Sequence, residues 1–174
     1  MLSLKEATAE KHKIAEHMPF NVRMFIGVLT KQEYLLYLSQ QLLIFSSIEE
    51  NVLPHKNLYR KEAILQDINE LKRQGYNVDH ILNSTQLYVN HLNKLRDNNI
   101  LPHVYLNYLA IIFGGQIIKK RVPSSGKMYD FIDSQNILAA IRKIQKDEWA
   151  EEVNKGYDFV ISILNELEIE CRKL

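Results

Sequence analysis

The chain has 174 residues, of which 46% are hydrophobic, enough for one domain with a full core. A formal net charge of +1 excludes nucleic-acid binding driven by bulk positive charge, so partners have to be read from sites. The single cysteine, Cys171, excludes a disulfide within the chain and fits a reducing compartment; Met1 is followed by no apolar run of a secretory signal, and the expectation is a cytoplasmic protein.

Apolar residues recur at helical spacing, and strand signals are almost absent. The pattern predicts helices over about 3–17, 30–52, 58–74, 84–97 and 103–121, and a long one from about 134 onward. Ser3 with Glu6, and Thr30 with Glu33, carry the capping-box spacing that opens a helix. Pro19, Pro54, Pro102 and Pro123 fall between the periodic segments and read as punctuation. The most apolar stretch, 104–118, is interrupted by Asn107 and Gln116 and falls short of the roughly 20 residues a bilayer needs, so it reads as a buried core helix without a membrane span. The loop "VPSSGKMYDFIDSQ" is too short to link domains, and no repeat is present. One all-α domain over 1–174 is the economical reading.

On the first helix, Leu4, Ala7, Ile14, Ala15 and Met18 share one face, with His12 just past its edge, where it can look into a cleft beside the core. Glu16 follows one turn later and can take the Nδ1 proton, leaving Nε2 for a metal; an interfacial histidine beside a solvated acid satisfies the same spacing. His17, His55, His80, His91 and His103 show no zinc-site spacing and read as surface or packing residues.

In "AIIFGGQIIKK", Gly114 and Gly115 interrupt an apolar helix at roughly 1 kcal/mol each relative to alanine. Ala110 and Gly114 stand one turn apart, so a flat ligand or another helix backbone can come close there.

Four collinear segments carry a family resemblance. "LKEATAEKHKIAE" (4–16) looks like the opening helix of the heme oxygenase family, and "YRKEAILQDI" (59–68) resembles its Arg-Lys…Gln-Asp segment. "HVYLNYLAIIFGGQIIKK" with "PSSG" resembles the glycine-bearing distal helix and its loop, and "GYDFVISILNEL" the last helix. The resemblance implies an all-α, heme-oxygenase-like helical bundle with heme held between the first and distal helices. It assigns His12 as iron ligand, Glu16 as its partner, and Gly114 and Gly115 as distal-face residues. Lys5 matches a basic position of the first helix, and Tyr105 a distal-helix tyrosine that meets a heme propionate. Arg142 and Lys146 are propionate candidates as a cationic i, i+4 pair beside a region shorter than in the family.

The implied activity is cleavage of heme to biliverdin, carbon monoxide and iron, with O2 and electrons from a separate reductase or ferredoxin, since the chain has no GxGxxG fingerprint. Lys119, Lys120 and Arg121 are candidates for docking that donor. The chain departs from the family where an aspartate, an arginine and a tyrosine usually order distal water: Ile111, Asn107 and Phe45 stand there, and Ala110 replaces a glycine. Gln40, Gln41 or Gln116 could supply the missing polar group. A non-catalytic heme carrier or sensor, and a heme-free helical scaffold, are the alternatives this pattern leaves open.

Overall fold

The computed structural model describes residues 1–78 and 80–174, and among these no strand occurs. The protein is an all-α bundle. Both capping boxes form: Ser3 Oγ accepts the Glu6 N–H (3.3 Å) while the Glu6 carboxylate accepts the Ser3 N–H (2.9 Å) at the start of α1 (Leu4–Glu16). Thr30 and Glu33 do the same, at 3.2 and 2.8 Å, at the start of α3 (Lys31–Ile48).

Pro19 opens a helix where punctuation was expected. It is the first residue of α2 (Pro19–Ile26), where a missing N–H costs nothing, and Gly27 in the left-handed region (φ 80°) closes the helix. α3 stops at Ile48, short of the expected 52, and the next segments are α4 (Lys61–Arg73) and α5 (Asn83–Leu92). The expected helix over 103–121 divides at Gly114 into α6 (Leu101–Phe113) and the single turn α7 (Gly115–Ile118). Pro102 lies inside the first turn of α6. The C-terminal run also divides, into α8 (Ser134–Ile144) and α9 (Ala150–Cys171), with a 3-10 turn over Asp147–Trp149 between them. No helix among the described residues is long and apolar enough to cross a membrane.

α3 is apolar around most of its circumference and sits in the core, with Tyr34, Leu35, Leu38, Ile44, Phe45 and Ile48 all buried. It packs on α4 and α5, whereas α9 runs against α1, α2, α5 and α6. Three helix starts take a cap from a distant acid. Asp147 accepts the Leu4 N–H of α1 (2.7 Å). Glu49, just past the end of α3, accepts the backbone N–H groups of Arg60 and Lys61 at the start of α4. Glu166 of α9 accepts those of Asn83 (3.2 Å) and Ser84 (2.8 Å) at the start of α5.

The loop after α7 hangs on one buried carboxylate. Asp67 Oδ1 accepts from Ser124 Oγ (3.1 Å) and the Lys127 N–H (3.0 Å), and Oδ2 from the Met128 N–H (2.9 Å). This sets the buried Tyr129 against Gly115, where an added Cβ would stand 2.7 Å from Tyr129 Cδ1.

Asp67→Ala leaves three donors without their acceptor and is expected to lower unfolding free energy by about 3 kcal/mol in urea denaturation. Gly115→Ala is expected to destabilise by about 1–3 kcal/mol through overpacking on Tyr129, and by more than Gly114→Ala, whose added Cβ would stand 3.1 Å from the Ala110 carbonyl oxygen.

Candidate functional site

α1 and α6 rest on one support. α1 is fastened to α9 by Asn154 Nδ2 donating to the Ala7 carbonyl (3.0 Å) and by an ion pair between Lys11 and Asp158. Fully buried Leu4 meets Leu106 of α6 and Val153 of α9 in a small apolar cluster on which Tyr105 and Tyr157 also pack. α6 comes close to α9 because Gly156 carries no side chain: a Cβ there would stand 2.6 Å from Leu106 Cδ2 and 3.2 Å from His103 Nδ1.

His12 projects from α1 with 55% of its side chain exposed, and its ring meets Tyr157 edge-on at 6.1 Å. Glu16 is its neighbour as expected, but the nitrogen that faces the carboxylate is Nε2 (3.4 Å) and not Nδ1. An exposed imidazole turns about its Cβ–Cγ bond without displacing core atoms, so either nitrogen can address Glu16. Lys5 is exposed one residue beyond Leu4, and Tyr105 is half-buried.

At the junction of α6 and α7 the two glycines part company. Gly114 is half-buried one turn from exposed Ala110, beside Phe113, which is 57% exposed, and exposed Ile117. Gly115, expected on the same surface, is buried against Tyr129 instead. The Arg142 guanidinium lies 5.9 Å from the Phe113 ring centroid. Lys146 does not form the expected i, i+4 pair with it: α8 ends at Ile144 and Lys146 is extended (φ −135°, ψ 141°), so the helical spacing is lost.

The distal substitutions are built into the core. Phe45 packs edge-on against Tyr108 at 5.0 Å, and Ile111 is buried. Of the three glutamines, Gln40 is committed to the fold: Nε2 donates to the carbonyls of Leu36 (3.1 Å) and His80 (2.8 Å), and Oε1 accepts the Leu82 N–H (3.0 Å). Gln116 is exposed and donates to the Tyr129 carbonyl (3.3 Å), and Gln41 is half-buried on α3. The basic triplet 119–121 lies past the end of α7. Lys119 pairs with Asp130, Arg121 donates to the Phe25 carbonyl (2.9 Å), and Lys120 is exposed.

Asn107 opens a polar chain that the sequence spacing did not reveal. Its Nδ2 donates to Tyr88 Oη (2.9 Å), which lies 2.8 Å from His103 Nδ1. His103 Nε2 then meets Glu152 Oε1 at 2.9 Å, and His91 Nε2 reaches the same oxygen at 2.5 Å. Burial pushes the His103 pKa down to about 4, against the opposing pull of Glu152, so this ring is neutral near pH 7. His91 and His103, read as surface or packing residues, thus share one carboxylate supplied by α9. No short-range signal could have found this cluster, because its members come from three helices.

The family model described as "Heme oxygenase" matches residues 1–158. The heme oxygenase of Porphyra purpurea is 28% identical over 132 residues, covering 67% of this chain and 56% of that protein. Heme oxygenase 1 of Gallus gallus is 27% identical over 161 residues, covering 80% and 54%. The chain thus spans little more than half the length of these relatives. Among solved structures, heme oxygenase-1 from the cyanobacterium Synechocystis sp. PCC6803, in complex with heme, aligns with TM-score 0.79 at 22% identity, covering 98% of this chain and 92% of that one. The heme oxygenase from Leptospira interrogans aligns with TM-score 0.75 at 25% identity, covering 94% and 97%. With the same fold, and a family match that runs from α1 through α6 and into α9, the chain belongs to the heme oxygenase family.

Proposed function

We propose that the chain binds heme between α1 and α6 and opens it to biliverdin, carbon monoxide and iron, using O2 and electrons from a separate reductase or ferredoxin. The observation that carries this reading is the pairing of an exposed histidine, His12 beside Glu16, with an outward α6 surface of Ala110 and Gly114, both helices being set on α9.

The residues present fit the group. His12 offers an imidazole nitrogen to the iron, and Glu16 holds the ring through the other nitrogen. Ala110 and Gly114 keep side-chain bulk off one face, and exposed Phe113 supplies apolar contact. Lys5 and Arg142, both exposed, are the cations proposed for the propionates, with Tyr105 as a hydroxyl donor. Bound heme supplies both the oxygen-activating iron and the carbon framework that is cleaved.

Proton supply is what this chain must solve differently. Phe45 and Ile111 neither donate nor accept, and the Asn107 amide is already shared between Tyr88 and the His103 carbonyl (2.8 Å). Gln40 is engaged on both its amide nitrogen and oxygen. Gln116 is exposed and turned to the Tyr129 carbonyl, and Gln41, half-buried on α3, is the residue proposed to hold distal water. The same apolar residues favour a second reading, a heme carrier or sensor that binds without ring opening.

Hemin titration of the purified protein is expected to give a stoichiometric Soret shift. His12→Ala is expected to weaken it more than about tenfold, since losing even an outer-shell partner of a ligand costs ~10–100-fold. An unshifted Soret band, or one indifferent to His12→Ala, removes both heme readings. With reductant and O2, absorption at the biliverdin bands is expected to rise, and Gln41→Ala to slow it at least about tenfold. A ferrous complex that persists under O2 without biliverdin selects the carrier.

A further inference from the structure

The His91, His103 and Glu152 side chains converge from α5, α6 and α9, and none of them belongs to the proposed heme site. One ligand atom from each lies within 4.8 Å of the others, and both Nε2 atoms face Glu152 Oε1. We propose that these three residues form a site for one divalent first-row transition-metal ion, separate from His12.

His103 is the fixed member. Its side chain is 0% exposed, and its Nδ1 is held 2.8 Å from Tyr88 Oη. Tyr88 is itself pinned by the Asn107 amide and by stacking on Phe159 at 4.9 Å and 12°. This is the outer shell of a metal-ligating histidine, in which the ring nitrogen away from the ion is committed to a hydrogen bond that sets the ring's direction.

His91 and Glu152 are the adjustable members. Their side chains are 15% and 31% exposed, so solvent and an ion reach the cluster from their side. Without metal, both Nε2 atoms converge on one carboxylate oxygen. Small rotations of the two partly exposed side chains bring all three atoms to the distance of about 2.0–2.2 Å that zinc takes to nitrogen and carboxylate oxygen. To ligate through Nε2, each ring carries its one proton on Nδ1 in place of Nε2, and His103 Nδ1–H then donates to the Tyr88 oxygen. Two imidazoles and one carboxylate, with positions left for water, suit Zn(II), Co(II) or Fe(II) and not Mg(II) or Ca(II), which prefer oxygen donors.

The inference does not rest on the heme reading, and its test uses no heme. Full-length protein stripped with chelator is titrated with Zn(II) by calorimetry, and with Co(II) by visible absorption. One saturable equivalent of Zn(II) is expected, and Co(II) is expected to develop ligand-field bands. His91→Ala and Glu152→Gln should each weaken binding by at least about 100-fold, and Tyr88→Phe by about 10–100-fold. His12→Ala is expected to leave Zn(II) binding unchanged, and excess Mg(II) not to compete. Absence of a saturable equivalent overturns the proposal. So does binding that survives both His91→Ala and Glu152→Gln, or that is lost in His12→Ala. Circular dichroism checks each variant's fold; if one variant unfolds, the other decides.

Discussion

The placement of α1 relative to α6 depends on one absent side chain, the Cβ that Gly156 lacks. α9 can lie against Leu106 and His103 only because nothing projects from it there, and α1 is fastened to that same helix through Ala7, Lys11 and Leu4. A Cβ there would press on the buried Leu106 and His103 side chains, so the close contact between α9 and α6 would have to give. The two walls of the proposed cleft are therefore referenced to a third helix that contributes little to the cleft's lining beyond Tyr157.

Gly114 and Gly115 illustrate a related division. Adjacent residues on a helix point about 100° apart, so two neighbouring glycines cannot present one flat surface. Gly115 looks inward and lets the segment after the loop press on the distal helix; Gly114 looks outward with Ala110. The inward contact is maintained from α4, through the three hydrogen bonds that Asp67 accepts. A buried acid two elements away thus sets the level of the surface proposed to meet the heme.

What could be read from the sequence follows the range of the interaction. The starts of α1 and α3 were legible because a capping box is complete within four residues. Pro19 was misread because its lack of an N–H suits the first turn of a helix as well as a loop. His12 with Glu16 was legible as a neighbouring pair, but which nitrogen faces the acid is a rotamer choice that no sequence encodes. Gln40 reads in the sequence as a candidate for the missing distal polar group, yet its amide holds the 80–82 segment through partners some forty positions on. The His91–His103–Glu152 cluster lay beyond reach for the same reason, with His91 and Glu152 separated by 61 positions.

The remote caps on α1, α4 and α5 bear on how the protein folds. α4 and α5 have no side-chain cap of their own, and their first N–H groups are satisfied by Glu49 and Glu166, residues that arrive only when α3 and α9 are in place. Their nucleation is thereby made conditional on tertiary structure, and a peptide cut to either helix alone lacks the acceptor that starts it. Secondary and tertiary order are coupled at these ends, which favours a single cooperative transition over a population of half-built bundles.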